Sequence, residues 1–207
     1  MSEPADFWEH HHRARRIGSE RANPLLVETA GPLTPGAALD LGCGAGGDAL
    51  WLARRGWRVT AVDIAPTAVE RVRSRAREFG LGARVVAERH DLAASFPAGA
   101  FDLISAQYLH TPFALPRSRV LRTAARALRP GGLLLVVDHG SVAPWSWEQD
   151  GRFPAPDEVA AGLALDPQRY AVVRADAPRR EATGPGGEVA VVTDHVVLVR
   201  RTEGSGR

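Results

Sequence analysis

The chain has 207 residues, a length that suits one domain with a substantial core and is short for two. Its 26 basic residues, all arginine, and 24 acidic residues leave a net charge of +2 that is spread along the sequence, which gives no reason to expect a nucleic-acid partner. The single cysteine, Cys43, excludes an intrachain disulfide, and no apolar run is as long as a membrane span.

The N-terminal residues are predicted to form a helical cap. They begin with a polar, acidic stretch unlike a signal peptide, which predicts a cytoplasmic protein. Residues 7–30 have the composition of one or two helices, so we expect a cap at 1–30 and the main part of a single domain at 31–203. Three consecutive histidines, His10 to His12, point about 100° apart on a helix and cannot converge on one ion. A solvated helix face and no metal site are predicted there.

Beyond the cap, apolar runs alternate with helical patterns. The predicted strands are 37–41, 58–62, 84–87, 101–106 and 133–137, and the predicted helices are 48–55, 66–79 and 116–128. Alternating strands and helices imply a parallel, doubly wound sheet. The nearly continuous aliphatic content of the strands suits a sheet that is covered on both faces.

The last third of the sequence changes character. Residues 140–156 are predicted to be irregular, and a helix is predicted at 157–165. Two further strands at 169–175 and 189–200 are joined by 178–187, which is rich in proline, glycine and arginine and is predicted to be a loop. The predicted fold is therefore α/β, a doubly wound, Rossmann-like, seven-stranded and mostly parallel sheet with an antiparallel C-terminal hairpin.

The chemistry is concentrated where the first strand meets a glycine-rich turn. Gly42, Gly44 and Gly47 satisfy the pattern G-x-G-x-x-G, and Asp63 ends the next strand, which on spacing alone also fits a dinucleotide-dependent oxidoreductase. Asp40, however, stands two residues before the first glycine. A carboxylate there repels a diphosphate and can pair with a cationic ligand.

These residues resemble a known family. Residues 39–46 are similar to motif I of class I S-adenosylmethionine-dependent methyltransferases, and 62–63, 90–92, 101–104 and 128–132 resemble the later motifs. The resemblance implies methyl transfer from the cofactor S-adenosyl-L-methionine. The cofactor-binding residues that it implies are Trp8, Asp40, Gly42, Cys43, Gly44, Asp63, Ile64, Asp91, Leu92 and Gln107.

The same resemblance implies individual roles. Asp63 is expected to hold both ribose hydroxyls, Asp91 to accept from the adenine amine, and Asp40 to lie near the methionine ammonium. Ile64 and Leu92 are expected to enclose the adenine ring. Gln107 is expected to lie along the methionine arm, with the sulfonium sheltered by Trp8 through a cation–π contact. The alternative for the carboxylates is loop capping or solvation, and for Trp8 it is packing against the domain.

The methyl acceptor is less well defined. The N-terminal segment, Phe7-Trp8-Glu9 with Asn23-Pro24-Leu25-Leu26, resembles the thiopurine and tellurite-resistance type methyltransferases, in which it folds over the cofactor. This implies a small-molecule acceptor, a thiol or another soft heteroatom. The alternatives are O-, N- or C-methylation in natural-product biosynthesis, an NAD-dependent oxidoreductase, and a non-catalytic cofactor-binding protein. No nucleic-acid or membrane partner is expected, and the sequence does not define the oligomeric state.

Candidate catalytic residues follow the fourth and fifth strands. Tyr108, His110 and His139 stand at the carboxyl edge, where open α/β sheets bind ligands, and an imidazole titrates in the range of a general base. The alternative for each histidine is a loop side chain that is hydrogen-bonded to the backbone. Residues 144–148, which include Trp145 and Trp147, are expected to form a substrate lid or wall or, alternatively, a dimer contact or packing against the sheet.

Overall fold

The computed structural model describes residues 2–14, 21–146, 153–184 and 186–203. In chain order, its elements are α1 (Glu3–Ala14), α2 (Pro24–Ala30), β1 (Ala37–Leu41), α3 (Gly47–Arg54), β2 (Arg58–Asp63), α4 (Pro66–Glu78), β3 (Val85–Arg89), β4 (Phe101–Gln107), α5 (Arg117–Arg126), β5 (Leu128–His139), α6 (Pro156–Gly162), β6 (Tyr170–Asp176), β7 (Arg179–Thr183) and β8 (Val189–Arg201). Across these ranges, every helix is too short or too polar to cross a membrane.

The strands form an eight-stranded sheet in the order β3-β2-β1-β4-β5-β8-β6, with β7 paired to β8. The first five strands are parallel, and β8 runs antiparallel to β5, β6 and β7. The predicted fold class, a Rossmann-like α/β sheet with antiparallel strands near the C-terminus, is confirmed.

Strand β7 is a correction to the sequence prediction. The segment 178–187 was expected to be a loop, yet Arg179–Thr183 pairs with the first five residues of β8, from Val189 to Thr193. The physical reason is that β8, with 13 residues, extends beyond its partner β5 and offers an edge. A short polar strand between Pro178 and Gly184 can form on that edge although its own sequence carries no apolar alternation.

The start of β5 also differs from the prediction. The predicted strand is 133–137, whereas the observed strand begins at Leu128 and includes Pro130-Gly131-Gly132. The register against β4 shifts between Phe101 and Leu103, and Gly131 has φ +80°. The glycines therefore form an irregularity inside the strand pair rather than a turn before it.

Two apolar clusters cover the two faces of the sheet. On one face, α2, α3 and α4 pack through residues such as Leu26, Leu50 and Val72. On the other, α5 and α6 pack through residues such as Leu121 and Val159. Because the helices leave the carboxyl edge of the parallel strands uncovered by this core, polar side chains can gather there. The buried polar residues of the described chain are Glu9, Asp40, Asp63, Ser105, Asp138 and Asp194.

Candidate functional site

A cavity of about 190 Å³ lies at the carboxyl edge of the sheet, beneath α1. Of the predicted site residues, ten line it: Trp8, Gly42, Gly44, Asp63, Ile64, Asp91, Leu92, Gln107, Tyr108 and His110. Asp40, Cys43 and His139 are not among its lining residues. The cavity therefore gathers most of the residues that the sequence singles out.

The glycine-rich turn forms one wall of the cavity. Gly42 has φ +74°, and a Cβ there would lie 3.0 Å from Cδ1 of Leu109, so a side chain would be both strained and crowded. The N–H of Gly44 donates to Oδ2 of Asp63 at 3.0 Å, and the N–H of Ala65 donates to Oδ1 at 2.9 Å. The backbone thus fixes the Asp63 carboxylate, which caps the loop and also faces the cavity.

Three buried polar atoms at this edge have no hydrogen-bond partner. They are Oδ2 of Asp40 on β1, Oε1 of Gln107 on the neighbouring strand β4, and Nε2 of His110 just beyond β4. In the described residues the only other such atom is Nε of Arg122, on α5. Buried polar atoms without partners are rare and costly, so the acceptors of Gln107, which lines the cavity, and of Asp40 on the adjoining strand suit the polar groups of a ligand.

Several carboxyl groups gather at the glycine turn. Burial, reinforced by the nearby carboxylates of Asp48 and Asp63, raises the pKa of Asp40 well above its ordinary value. Burial also raises the pKa of Asp48 to about 6, although the N–H of Asn23 donates to Oδ1 of Asp48 at 2.7 Å. Among the residues that the structure describes, no arginine lines the cavity. A bound cation would relieve this repulsion, whereas a diphosphate would increase it.

One end of the cavity is mostly aliphatic. Ile64 and Leu92 line it, and Oδ1 of Asp91 accepts from the N–H of Ala93 at 2.9 Å. One oxygen of Asp91 thus caps its own turn, which is the alternative expected from the sequence, while the residue also lines the cavity. This end offers two aliphatic side chains and one carboxylate, a set that suits a flat ring bearing a donor.

Helix α1 covers the cavity and is tied to the loop after β4. Nε1 of Trp8 donates to Oγ1 of Thr111 at 3.2 Å, and the rings of Phe7 and Phe113 meet edge to face at 5.4 Å. The prediction of a solvated face was wrong for His12, which lines the cavity, whereas His10 is exposed. The signal that sequence reasoning missed is the four-residue spacing of His12 from Trp8, which places both on one helix face.

His110 is held near a buried carboxylate. Its Nε2 lies 3.1 Å from Oδ1 of Asp138, outside hydrogen-bonding alignment, and Nη2 of Arg117 contacts both oxygens of Asp138 at 2.6 Å. Burial alone would raise the pKa of Asp138, but the neighbouring His110 and the Arg117 guanidinium outweigh it and lower that pKa. Neither Asp138 nor Arg117 was predicted from the sequence.

Tyr108 belongs to a second buried ion pair. Its hydroxyl donates to Oδ1 of Asp194 at 2.9 Å and accepts from Nη2 of Arg180 at 3.0 Å, while Nε of Arg180 donates to Oδ2 of Asp194. Burial and the Asp194 charge raise the pKa of Tyr108 to about 12. The hydroxyl is therefore a proton donor within this network at neutral pH.

His139 lies behind Tyr108. The two rings stack with centroids 4.3 Å apart, and burial, together with the charge of His110, lowers the pKa of His139. Phe153 packs against His110 and His139 at 5.4 and 5.3 Å, so part of the aromatic segment 140–156 does approach the candidate base. Trp145 lies beside Gly184, and Trp147 lies outside the described residues.

Part of this chain is similar in sequence to known methyltransferases. Residues 38–132 match the family model described as a methyltransferase domain. Methyltransferase GfsG of Streptomyces halstedii is 36% identical over 123 residues, which are 58% of this chain and 43% of that protein. The 27-O-demethylrifamycin SV methyltransferase of Amycolatopsis mediterranei is 39% identical over 126 residues, 58% of this chain and 46% of that protein. This chain spans less than half the length of these two relatives.

Residues 38–132 are thus similar in sequence to a methyltransferase domain. A solved structure described as "Conversion of a Disulfide Bond into a Thioacetal Group during Echinomycin Biosynthesis" has a TM-score of 0.73 and 26% identity, and the match covers 97% of this chain and 94% of that chain. Two further structures of the fold, 19% and 14% identical, hold S-adenosylhomocysteine.

The cofactor of such a domain is S-adenosyl-L-methionine, and the residues present fit it. The unpartnered acceptors of Asp40 and Gln107 suit a cationic methionine group. The strongly curved backbone at Gly42 allows close approach of a ligand that any side chain would obstruct.

Proposed function

We propose that this protein transfers the methyl group of S-adenosyl-L-methionine to a small molecule, and that the acceptor atom is a thiol sulfur or another soft heteroatom. The observation that carries the donor half of this proposal is the charge beside the glycine turn. The carboxyl groups of Asp40 and Asp63 are buried there, and no arginine within the described ranges lines the cavity. The diphosphate of NAD would meet like charge at this point, which disfavours a dinucleotide oxidoreductase.

The donor-side residues take the roles expected from the resemblance. Asp40 and Gln107 provide acceptors for the methionine ammonium, and Asp63 provides them for the ribose hydroxyls. Asp91 accepts from the adenine amine. Because Cys43 packs in the apolar core and burial raises the pKa of its thiol, it contributes its backbone to the turn and its uncharged side chain to packing.

The acceptor-side residues suit a small, largely apolar molecule. Trp8, Leu109, Phe113 and Leu115 line this part of the cavity. His110, in the loop after β4, is a titratable group beside them. The bound cofactor supplies a methyl carbon that is already activated by its sulfonium. The chain aligns the acceptor and excludes water, which are the main protein contributions to such a displacement.

His110 is the proposed base where the acceptor needs one. Thiols are partly ionised near neutral pH and need little help, whereas a hydroxyl must lose its proton during the transfer. Asp138 lies close enough to stabilise the imidazolium that forms. Since the hydroxyl of Tyr108 is engaged with Asp194 and Arg180, we assign Tyr108 and the stacked His139 to the cavity wall rather than to proton transfer.

Two comparisons support different acceptor atoms. The solved structure at 26% identity is described by sulfur chemistry, which supports a sulfur acceptor, and so does the N-terminal resemblance to thiopurine and tellurite-resistance type enzymes. The rifamycin relative is named for O-methylation, and it supports the alternative of a natural-product hydroxyl. The proposal involves neither a nucleic-acid nor a membrane partner.

Two experiments test this proposal. Calorimetry with S-adenosylmethionine, S-adenosylhomocysteine and NAD should show binding of the adenosyl ligands only; binding of NAD alone would refute the donor assignment. A panel of thiols, phenols and amines, assayed with methyl-labelled cofactor, should give turnover with thiols. Turnover of phenols or carbon acids alone would refute the sulfur assignment and leave methyl transfer intact.

A further inference from the structure

Helix α1 presents one face to the cavity. Pro4, Trp8 and His12, each four residues from the next, line it. His12 approaches the glycine turn most closely: a Cβ on Gly44 would lie 3.7 Å from Cε1 of His12, and Nε2 lies 3.9 Å from Oδ2 of Asp63. With 15% of its side chain exposed, His12 is nearly enclosed beside the carboxylate that is proposed to hold the ribose.

The separation of 3.9 Å suits a hydroxyl between the two side chains. It is too long for a direct hydrogen bond, but a hydroxyl oxygen can lie about 2.8 Å from both atoms, accepting from Nε2–H and donating to the carboxylate. Oδ2 of Asp63 accepts one hydrogen bond from Gly44, and a carboxylate oxygen can accept a second.

The position of His12 is set by contacts outside the cavity. Glu9, one turn earlier, is buried and accepts from the N–H of Thr67 at 2.9 Å and from its hydroxyl at 2.5 Å, at the start of α4. Although burial opposes it, the hydrogen bonds from Thr67 and the nearby Arg13 guanidinium lower the pKa of Glu9. Nη2 of Arg71 donates to the carbonyl of His12 at 3.0 Å.

These contacts join α1 to the segment that carries Asp63. Thr67 follows Asp63 by four residues, so Glu9 anchors the helix to the same loop that His12 faces. The distance between His12 and Asp63 is therefore defined by a buried, charge-assisted contact rather than by the helix terminus alone.

We infer that His12 is a ribose-contacting residue, which donates from Nε2 to the hydroxyl that Asp63 accepts. This inference rests on the proposed binding of S-adenosylmethionine. A hydroxyl held between an imidazole and a carboxylate is recognised from both sides, so a nucleoside that lacks it loses both of these hydrogen bonds. His12 thus makes the site selective for an intact ribose.

The test compares His12→Leu, His12→Gln and a matched control, His10→Leu, which lies on the exposed face of the same helix. Leucine is similar in size to imidazole but cannot donate, whereas glutamine retains an N–H donor. By calorimetry with S-adenosylhomocysteine, His12→Leu should bind about tenfold more weakly than the wild type. His12→Gln should stay within about threefold and His10→Leu should be unchanged.

A second arm uses 2′-deoxy and 3′-deoxy S-adenosylhomocysteine. One analogue should bind the wild type about tenfold more weakly than the parent ligand and should lose little further affinity with His12→Leu, because both changes remove the same hydrogen bond. Equal affinity of His12→Leu and wild type, or losses that simply add, overturns the inference while cofactor binding stands. If the leucine variant does not fold, the same cycle with His12→Gln decides. Because glutamine still donates, the deoxy analogue should bind this variant more weakly than S-adenosylhomocysteine does. Equal binding of the two ligands to His12→Gln refutes the inference. Failure of the folded wild type to bind S-adenosylhomocysteine refutes the proposed function itself.

Discussion

The cavity has a donor half at the glycine turn and an acceptor half beyond β4 and β5. Buried carboxylates beside these two halves have pKa values that are shifted in opposite directions. In the donor half, around Asp40 and the glycine turn, burial raises the pKa of both Asp40 and Asp48. In the acceptor half, beyond β4 and β5, Asp138 is bonded to Arg117 and Asp194 to Arg180. The pKa of Asp138 is lowered despite its burial.

From this difference we infer the charge expected of the ligand in each half of the cavity. Under the proposed function, the sulfonium and ammonium of the cofactor would stabilise the ionised form of the carboxyl groups in the donor half. The acceptor half balances its charges within the protein, so a neutral acceptor can enter without leaving a carboxylate unpaired.

The halves also differ in how they are built. The donor half relies on backbone groups within short segments, such as the N–H groups of Gly44 and Ala65 that orient Asp63. The acceptor half relies on side chains from distant strands, since Tyr108 and Asp194 are 86 positions apart. Substitutions should consequently affect cofactor binding in the first half and stability or turnover in the second.

The largest effect is expected from Asp63→Ala. The substitution removes both ribose acceptors and the carboxylate that orients the turn, so the affinity for S-adenosylhomocysteine should fall by at least about 1,000-fold, given two charge-assisted hydrogen bonds. Calorimetry measures this loss. Asp157→Ala, at an exposed carboxylate on α6, serves as the control and should bind normally; unchanged affinity of Asp63→Ala would show that the ribose contact is misassigned.

Arg180→Met tests the charge balance of the acceptor half. Among the described side chains, it leaves the Tyr108 hydroxyl as the donor to Asp194, which is 1% exposed, and we expect a loss of about 3 kcal/mol in the free energy of unfolding. Urea denaturation followed by circular dichroism measures the change. Arg179→Met, on the exposed face of the same strand, should alter stability by less than about 0.5 kcal/mol. Equal effects of the two variants would contradict the assigned network.

His110→Ala separates the two possible acceptor chemistries. If His110 removes the acceptor's proton, kcat should fall about 100-fold with a phenol and by much less with an aromatic thiol of the same shape. The paired acceptors act as the internal control because alignment and cofactor binding are common to both. A similar loss with both acceptors would indicate that His110 positions the substrate and is not a base.

The sequence is sufficient to predict most of the donor half because its parts are local. Asp40 and the glycines lie within one turn, and Asp63 ends the next strand, so a spacing rule is enough to place them on one edge. The acceptor half depends on strand register: Asp194 lies opposite His139 only because β8 pairs with β5 in one alignment. No local pattern specifies that alignment, or the short strand β7 that brings Arg180 to it.

His12 shows the same limit on a smaller scale. Its four-residue spacing from Trp8 is visible in the sequence, and the preference for a solvated face came from its two histidine neighbours. Its environment depends on how α1 packs against the domain. That packing depends on the contact between Glu9 and Thr67, which are 58 positions apart in the sequence. Such long-range contacts explain why helix periodicity alone leaves open which face is covered.

The smallest expected effect concerns the excess charge of the donor half before the cofactor binds. The pKa of Asp48 is raised from 3.8 to about 6 in the folded protein, so the folded state holds this proton more tightly than the unfolded state. Stability should therefore decrease as the pH rises from about 4 to about 6, and the penalty should be complete above that range. Asp48→Asn keeps an oxygen to accept from the N–H of Asn23 but cannot ionise.

The variant should consequently unfold at a higher temperature than the wild type at pH 7.5, by a few degrees, and the two proteins should converge at pH 4.5. Thermal unfolding without ligand, recorded across this range, measures the difference. Because a bound cation offsets the same charge, S-adenosylmethionine should raise the melting temperature of the wild type more than that of Asp48→Asn at pH 7.5. A pH-independent difference between the two proteins would mean that Asp48 does not carry the charge that the cofactor neutralises.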